Sequence, residues 1–371
     1  MTTVEQLGSG LRRGLQPVLI ALGAAVTGLS WGRDLPAGIA VLVAVLQIGM
    51  VLLSVGQAER IAHRVGEPFG TLVLAVSVTV IEVALIITLM LSEGDKAASL
   101  ARDTVFAAVM IVANGVVGIC ILLAAKRSHV VRFSEQGANA LLGTLLTVAA
   151  LSLIMPTFTS STVGPTFSGS QLAFAAVASA IVYGIFVFLQ TGRFRWMFLS
   201  PDESVPVEPA PGTPSQPRPT GRWFASSALV LLVSLAVVVG LAKTLAPSVE
   251  DAVVWAGAPQ SAVGIVIAVM ILLPETVAAM RAARRGEMQT SLNLSLGSAL
   301  ASIGLTIPAI AVASIWIDTP ITLGLGGKEI VLLVLTAGIS TLTFGSGRAT
   351  VLQATHHLTV FAAFVFLAIF P

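Results

Sequence analysis

The stretch Gly66–Leu91, GEPFGTLVLAVSVTVIEVALIITLML, decides the fold class, because from Gly70 onward it is long and apolar enough to cross a bilayer. Glu82 stands near its middle. A second apolar run, PQSAVGIVIAVMILLPETVAAM from Pro259 to Met280, holds Glu275. A carboxylate at that depth is costly unless it has partners, faces a water-filled cavity or is protonated. Two such carboxylates in two halves of one chain predict a cation pathway, with Glu82 and Glu275 as the metal ligands.

The composition is typical of a membrane protein. Of the 371 residues, 56% are hydrophobic and 10% are charged, whereas a soluble domain has roughly 25% charged residues. The net charge of +2 is too small to indicate a nucleic-acid partner. The single cysteine, Cys120, excludes an internal disulfide and is expected to be an inert, buried thiol. We expect no cofactor.

Eleven apolar windows predict an all-α polytopic membrane protein. A barrel is excluded because the windows are continuously apolar and do not alternate with a period of two. The predicted spans are 15–30, 37–56, 70–91, 103–124, 138–155, 171–190, 223–246, 259–280, 290–316, 323–342 and 350–370. Arg12 and Arg13 precede the first window as in a signal peptide, but no A-x-A-like site follows, so we expect a retained first span.

The longest connector, Ser200–Gly221, has seven prolines and mixed charges, and it is predicted to be a semi-extended linker. Without the first span, five spans precede this linker and five follow it. An odd number of spans per half means that the halves enter the membrane from opposite sides, as in inverted-repeat transporters. We therefore predict an N-terminal helix at 1–36, a first repeat at 37–192, a linker at 193–222 and a second repeat at 223–371.

The distribution of basic residues predicts the orientation. With the N-terminus inside, the inside connectors hold fifteen of the 20 Lys and Arg residues, as the positive-inside rule expects. The outside connectors hold the other five: Arg33, Lys96, Arg102, Lys243 and Lys328. The prediction is that the N-terminus and the linker lie in the cytoplasm and the C-terminus lies outside.

Polar residues near the two glutamates are candidates for a supporting ion or proton path. Thr71 and Thr79 precede Glu82 at helical spacing. Pro274 directly precedes Glu275, where it removes a backbone donor and can free a carbonyl oxygen for a cation. The small residues Ser261, Gly264 and Ala268 share the face of Glu275 and let another helix approach closely.

The ninth span carries a stripe of hydroxyl side chains at steps of three and four, namely Ser291, Ser295, Ser298, Ser302 and Thr306. The stripe suits either a hydrated path or a polar packing seam between helices. Its counterpart in the fourth span, Asn114, can be a ligand or a helix–helix contact. His356 and His357 point about 100° apart on a helix, so at most one of them faces the site; His356 is included in the predicted path.

A pair of buried carboxylates couples a cation to protons. Burial and a nearby like charge both raise carboxylate pKa values, so an empty pair holds protons and releases them to a hard cation. Binding of one Ca²⁺ and of two H⁺ is then mutually exclusive. Rocking of one repeat against the other supplies alternating access.

Three segments resemble the bacterial Cha-type calcium (sodium, potassium)/proton antiporters and, more distantly, the CAX branch of the cation/Ca²⁺ exchanger superfamily. These are GEPFGTLVLAVSVTVIEVALI, LLPETVAAMRAARRGEMQTSLNLSLGSALASIGLTIP and GSGRATVLQATHHLTVFAAFVFLAIFP, at 66–86, 272–308 and 345–371. The segment RDTVFAAVMIVANGVVG of the fourth span adds to the likeness. The resemblance implies eleven spans, as one helix plus two inverted repeats of five, with Glu82 and Glu275 as shared cation and proton ligands.

One feature departs from that family pattern. CAX exchangers usually have a Gly-Asn motif shortly before each glutamate, but this chain has Val78-Thr79-Val80-Ile81 and Ile271-Leu272-Leu273-Pro274. The expected function is export of cytoplasmic Ca²⁺ in exchange for H⁺, and Na⁺ or K⁺ exchange at the same site is the alternative. The expected partners are membrane lipid, inorganic cations and protons. A cation channel is disfavoured because no repeated pore motif is present, and an enzyme because no HExxH or paired intramembrane aspartate motif occurs.

Overall fold

The structure is a computed structural model that describes residues 3–33, 35–65, 77, 79–80, 82–84, 86–87, 98–200, 221–257, 259, 261–316 and 321–370. Ten long helices account for most of these residues. They are α1 Thr3–Ser30, α2 Ala37–Val65, α3 Leu100–Ala125, α4 Glu135–Phe158, α5 Gly169–Thr191, α6 Gly221–Trp255, α7 Ser261–Arg285, α8 Met288–Ala313, α9 Gly327–Phe344 and α10 Val351–Ile369. Two short strands, β1 Val131–Arg132 and β2 Arg348–Ala349, and a 3₁₀ turn at Arg195–Phe198 complete the described elements.

Eight of these helices are each long and apolar enough to cross a membrane, and a ninth, α7, qualifies if its two bent parts form one span. The apolar part of α1, Gln16–Ser30, is shorter. Multi-pass insertion is therefore confirmed. The count of eleven stays a prediction, since most of the predicted span 70–91 and the core of the linker, 201–220, lie outside the described residues.

Two helices contain π-helical segments that the sequence analysis did not predict. The first is Ile111–Val116 within α3 and the second is Ala150–Ile154 within α4. A π segment adds one residue to a turn and so rotates the face that later residues present. The faces assigned from regular helical spacing are therefore valid only on one side of each segment.

The chain divides into two compact units that both draw on sequence before and after the linker. The first unit comprises Met1–Leu89 and Gln216–Ala256, and the second comprises Met90–Ser215 and Gly257–Pro371. In the first unit α1, α2 and α6 pack together. Glycines permit the close approach of α1 and α6, because a Cβ at Gly23 would lie 2.5 Å from Val237 Cγ1.

In the second unit α3 is the central helix. Of its most apolar stretch, 89% is buried inside the protein, whereas the corresponding share of α10 is 22%. Helices α7, α8 and α10 pack against it. Gly115 and Gly118 of α3 lie against Phe361 and Leu358 of α10, so these small residues set the distance between the two helices.

A two-stranded clip joins the segment after α3 to the segment after α9. Val131 pairs with Ala349, and Arg132 pairs with Arg348, in antiparallel register. Phe133 packs edge-on against Phe344 at a centroid distance of 5.8 Å. The clip holds the end of α9 and the start of α10 beside the end of α3.

Candidate functional site: buried polar residues of the helices

Glu82 lies on a helical stretch and is buried, with 2% of the residue exposed. Thr79 and Ser77 are helical and buried as well. That Thr79 supports an ion path stays a prediction. Glu82 takes part in a polar or charge interaction. Thr71, the other hydroxyl predicted on this helix, lies outside the described residues.

Glu275 lies immediately after a bend in α7. The axis of α7 turns by 54° between Ala262–Leu273 and Glu275–Arg285. Pro274 separates these two parts, and proline bends helices because it lacks the N–H and its ring clashes with the preceding turn. Glu275 is buried, with 9% of the residue exposed, and it too takes part in a polar or charge interaction. The disturbed turn that the sequence predicted before this glutamate is therefore present.

Helices α7 and α3 run side by side in the same direction. Near the N-terminal ends of the two helices, a Cβ at Gly264 would lie 3.1 Å from the carbonyl carbon of Asp103. Near their C-terminal ends, Arg127 Nη1 donates a hydrogen bond to the carbonyl oxygen of Arg284 at 3.0 Å. The close helix approach predicted at Gly264 is confirmed.

This alignment brings Glu275 and Asn114 to a similar depth along the helix pair. Glu275 follows Gly264 by eleven residues, and Asn114 follows Asp103 by eleven residues. Because each helical residue advances about 1.5 Å, equal offsets from one contact give similar depths. Asn114 of α3 and Glu275 of α7 therefore lie at a similar depth in the second unit.

Asn114 lies in the π segment of α3 and is fully buried. Its Nδ2 donates a hydrogen bond to Thr336 Oγ1 of α9 at 2.9 Å. Its Oδ1 is buried and has no hydrogen-bond partner among the described residues. The amide nitrogen thus links two helices while the amide oxygen stays available to a ligand, and π segments recur at functional sites. The sequence left two functions open for Asn114, a ligand or a helix–helix contact. The structure assigns the helix–helix contact to the amide nitrogen and leaves the amide oxygen for a ligand.

The hydroxyl stripe of α8 is largely internal. Ser291, Ser295, Ser302 and Thr306 are buried, and Ser298 is half-buried. Ser295 Oγ donates to the carbonyl oxygen of Ser291 in the same helix at 2.8 Å. An intrahelical bond of this kind uses the hydroxyl proton but leaves oxygen lone pairs free to accept. Both a hydrated path and a packing seam are compatible with this geometry.

The two adjacent histidines of α10 differ in burial. His356, the histidine included in the predicted path, is exposed, whereas His357 is fully buried. His357 Nε2 lies 3.1 Å from Thr343 Oγ1 of α9, and its ring stacks on Phe344. The structure therefore places His357, in preference to His356, inside the helix bundle.

Sequence reasoning missed the buried hydroxyls of α9. Thr336, Ser340 and Thr343 are all internal and lie on the face that meets Asn114 and His357. Their spacing of four and three residues is the same signal that identified the stripe on α8, so the pattern was available in the sequence. A further missed contact is the pair Ser152 Oγ and Ser179 Oγ at 3.2 Å, between α4 and α5.

Carboxylates alone do not build a metal centre in the part of the chain that the structure describes. There, no group of three or more His, Cys, Asp and Glu side chains is arranged to hold a metal ion. A hard cation bound near a single carboxylate would need neutral oxygen ligands as well. The hydroxyls of α8, the Asn114 amide oxygen and backbone carbonyl oxygens are the groups of the second unit that could supply them.

Comparison with known proteins assigns the family. The family model described as "Sodium/calcium exchanger protein" matches residues 19–192 and 226–370. The chain is 40% identical over 357 residues to "Putative ionic transporter y4hA" of Sinorhizobium fredii, covering 95% of each protein. It is 34% identical over 348 residues to the sodium-potassium/proton antiporter ChaA of Escherichia coli K12, covering 92% of this chain and 93% of that protein.

The fold of a solved exchanger is also matched. The crystal structure of the H⁺/Ca²⁺ exchanger CAX superposes with a TM-score of 0.71 at 15% sequence identity, covering 96% of this chain and 88% of that chain. Identity at this level establishes the fold alone. Together with the two long matches on either side of the linker, it shows that the chain is a multi-pass membrane protein of the sodium/calcium exchanger family.

Proposed function

We propose that the protein is a secondary active antiporter that exports cytoplasmic Ca²⁺ in exchange for H⁺ by alternating access, with Glu82 and Glu275 as shared cation and proton ligands. It acts as a transporter and not as an enzyme, and it uses no cofactor. Its partners are membrane lipid and the inorganic ions that it moves. In the proposed orientation, in a bacterial cytoplasmic membrane, the N-terminus and the linker face the cytoplasm and the C-terminus faces outside.

The observation that carries this proposal is the burial of two carboxylates within helices of a membrane exchanger family. Glu82 and Glu275 are both buried, and ionisable groups inside a membrane are retained mainly for function. Protons and a hard cation compete for the same carboxylate oxygens. If only the loaded forms cross, that competition makes the exchange obligatory.

Exchange of Na⁺ or K⁺ at the same site is the second candidate. It is favoured by the sequence before each glutamate, where Thr79 and Leu272 stand in place of the amide-bearing motifs of CAX exchangers. Ca²⁺ takes about 6–8 oxygen ligands, so the loss of two amide oxygens disfavours Ca²⁺, whereas the carboxylate pair that couples a cation to protons is retained. The sodium-potassium/proton antiporter of Escherichia coli, at 34% identity, supports this alternative as well.

Proton release from acid-loaded proteoliposomes tests the function and selects the cation. Ca²⁺, Na⁺ and K⁺ are added separately, and internal pH is followed with a fluorescent dye. We expect proton efflux with at least one of them. Cation flux that continues without any proton movement would favour a channel and contradict antiport.

Glutamine substitutions test the site. We expect Glu82→Gln and Glu275→Gln each to abolish exchange, because the amide keeps the size of the side chain but cannot release a proton. Glu287→Gln serves as the matched control, since the side chain of Glu287 is 44% exposed and follows α7. Near-normal transport by either buried variant would remove that glutamate from the site.

A further inference from the structure

Helix α9 presents a line of buried hydroxyl groups to α3 and α10. Thr336, Ser340 and Thr343 follow one another at steps of four and three residues, so they share one helix face. All three are at most 1% exposed. From the first to the last, the line extends about 10 Å along the helix, given a rise of about 1.5 Å per residue.

Each end of this line is fixed by a side chain from a neighbouring helix. At one end Asn114 Nδ2 donates to Thr336 Oγ1 at 2.9 Å. At the other end His357 Nε2 lies 3.1 Å from Thr343 Oγ1. The other ring nitrogen, His357 Nδ1, is buried and has no hydrogen-bond partner among the described residues. The five polar side chains thus form one cluster, which we call the α3–α9–α10 cluster.

Two buried oxygens of the cluster have no hydrogen-bond partner among the described residues, Asn114 Oδ1 and Ser340 Oγ. Leaving a buried polar group unsatisfied costs about 1–3 kcal/mol. Ser340 lies one turn beyond Thr336, and side chains one turn apart are about 5–6 Å from each other at Cβ. A single water between the Asn114 amide oxygen and the Ser340 hydroxyl could therefore reach both, and buried waters characteristically satisfy such groups.

His357 is the titratable member of the cluster. Its ring is buried and is held on one side by Phe344 at a centroid distance of 6.2 Å. The adjacent titratable residue of α10, His356, lies on the exposed side of the helix. The titratable and charged residues of the elements packed against α10 are Arg102, Asp103 and Cys120 of α3, Lys328 and Glu329 of α9, Arg348 of β2, and Glu275, Arg281, Arg284 and Arg285 of α7. Arg102 and Asp103 of α3 and Lys328 and Glu329 of α9 stand in the N-terminal turns of their helices, whereas His357 contacts Thr343 and Phe344 at the C-terminal end of α9.

We propose that the α3–α9–α10 cluster is a hydrated proton-binding site that acts in addition to the two glutamates, in which water joins Asn114 and Ser340 and His357 takes up and releases the proton. The proton arrives through water, binds a ring nitrogen and leaves by water, so no other bond is made or broken. This inference rests on the proposed antiport and adds a proton site to it.

Transport by variants of α10 gives the functional test. We expect His357→Gln to lower cation-driven proton flux by about 100-fold, the lower range for a positioned proton-transfer group. Exchange of a labelled cation for the same unlabelled cation, which needs no proton, should stay at the wild-type rate. Thr355→Val should leave both rates unchanged, because that side chain of α10 is exposed and its hydroxyl bonds only to a carbonyl oxygen of its own helix.

Two outcomes overturn the site. Equal losses of proton-coupled and cation-for-cation exchange would show that His357 has only a structural role. An unchanged proton flux in His357→Gln would remove it from the proton path. Absence of cation-driven proton flux in the wild-type protein would instead defeat the proposed antiport, so the two failures are distinct.

Hydroxyl-radical labelling of the wild-type protein tests the water without any substitution. Radiolysis of bound water oxidises nearby side chains, and Met110 Sδ lies 3.5 Å from Thr336 Oγ1 within the cluster. We expect Met110 to be oxidised although it is fully buried, and more rapidly than Met288, which is equally buried. Equal, slow labelling of both methionines would show that the cluster is dry and would overturn the proposal.

Discussion

Asn114 shows how one polar residue inside a membrane protein can serve two purposes. Its amide nitrogen is committed to Thr336 of α9, whereas its amide oxygen has no partner among the described residues. Hydrogen bonds between membrane helices contribute little on average, about 0.6 kcal/mol, and at most about 1.7 kcal/mol. Such a bond is therefore a modest source of stability, and its larger effect is to fix the direction of the amide oxygen.

Removal of this bond should have a small and specific effect. We expect Thr336→Val to lower the unfolding free energy by about 1 kcal/mol, because valine keeps the shape but leaves the buried Asn114 donor unpaired. Thr341→Val on the same helix is the control, since its hydroxyl is exposed and bonds only to the carbonyl oxygen of Ala337. Reversible unfolding in mixed detergent would measure both, and equal changes in the two variants would contradict the assignment.

At the scale of the elements, the contact of α7 with α3 decides where Glu275 stands. Gly264 lies directly against the backbone of Asp103 and Thr104, and the far end is joined by the bond from Arg127 to Arg284. Between these two contacts α7 bends by 54°, just before Glu275. The helix pair therefore holds the carboxylate in position through one close approach, one hydrogen bond and one proline.

A methyl group at Gly264 should separate the two helices. A Cβ there would lie 3.0 Å from Asp103 Cβ and 3.1 Å from Thr104 N, and backbone atoms cannot move aside as a side-chain tip can. We expect Gly264→Ala to destabilise the protein by about 1–3 kcal/mol and to slow transport, as measured by thermal unfolding and by the proteoliposome assay.

The matched control lies on α8. No atom lies within 4 Å of a Cβ added at Gly297, so Gly297→Ala should stabilise its helix by about 0.5–1 kcal/mol, the usual difference between alanine and glycine. The two substitutions are thus expected to have opposite signs. A gain in stability for both would show that helix propensity outweighs the contact between α7 and α3.

At the scale of the whole molecule, both compact units combine sequence from before and after the proline-rich linker. The family match likewise covers both parts of the chain and omits residues 193–225. The two inverted repeats and the orientation of the chain stay predictions, which rest on the number of spans and on the bias of basic residues.

Cysteine labelling tests the orientation. Ala97→Cys lies in a connector predicted to face outside, and Ala210→Cys lies in the linker predicted to face the cytoplasm. We expect a membrane-impermeant maleimide to label the first variant in intact cells and the second only after lysis. The native Cys120 is fully buried and should give no background. The reverse pattern would invert the proposed topology.

The sequence by itself determined that the protein is a membrane protein, where most of its helices begin and end, and that Glu82 and Glu275 lie within apolar segments. Hydropathy and the position of a charge can be read from a single segment. It also indicated the close approach at Gly264 and the disturbed turn before Glu275, which depend on residue size and on the missing N–H of proline. Helical spacing showed that at most one of His356 and His357 faces the site, but it could not show which one.

Only the tertiary structure decided that His357 faces inward, that Asn114 bonds to Thr336, and that Ser340 belongs to the same buried cluster. The physical reason is that the helical period fixes faces within one helix, whereas the neighbour that each face meets depends on packing between segments distant in sequence. The π segments at Ile111–Val116 and Ala150–Ile154 add to this, because they rotate the faces of α3 and α4 without a signal in the hydropathy pattern.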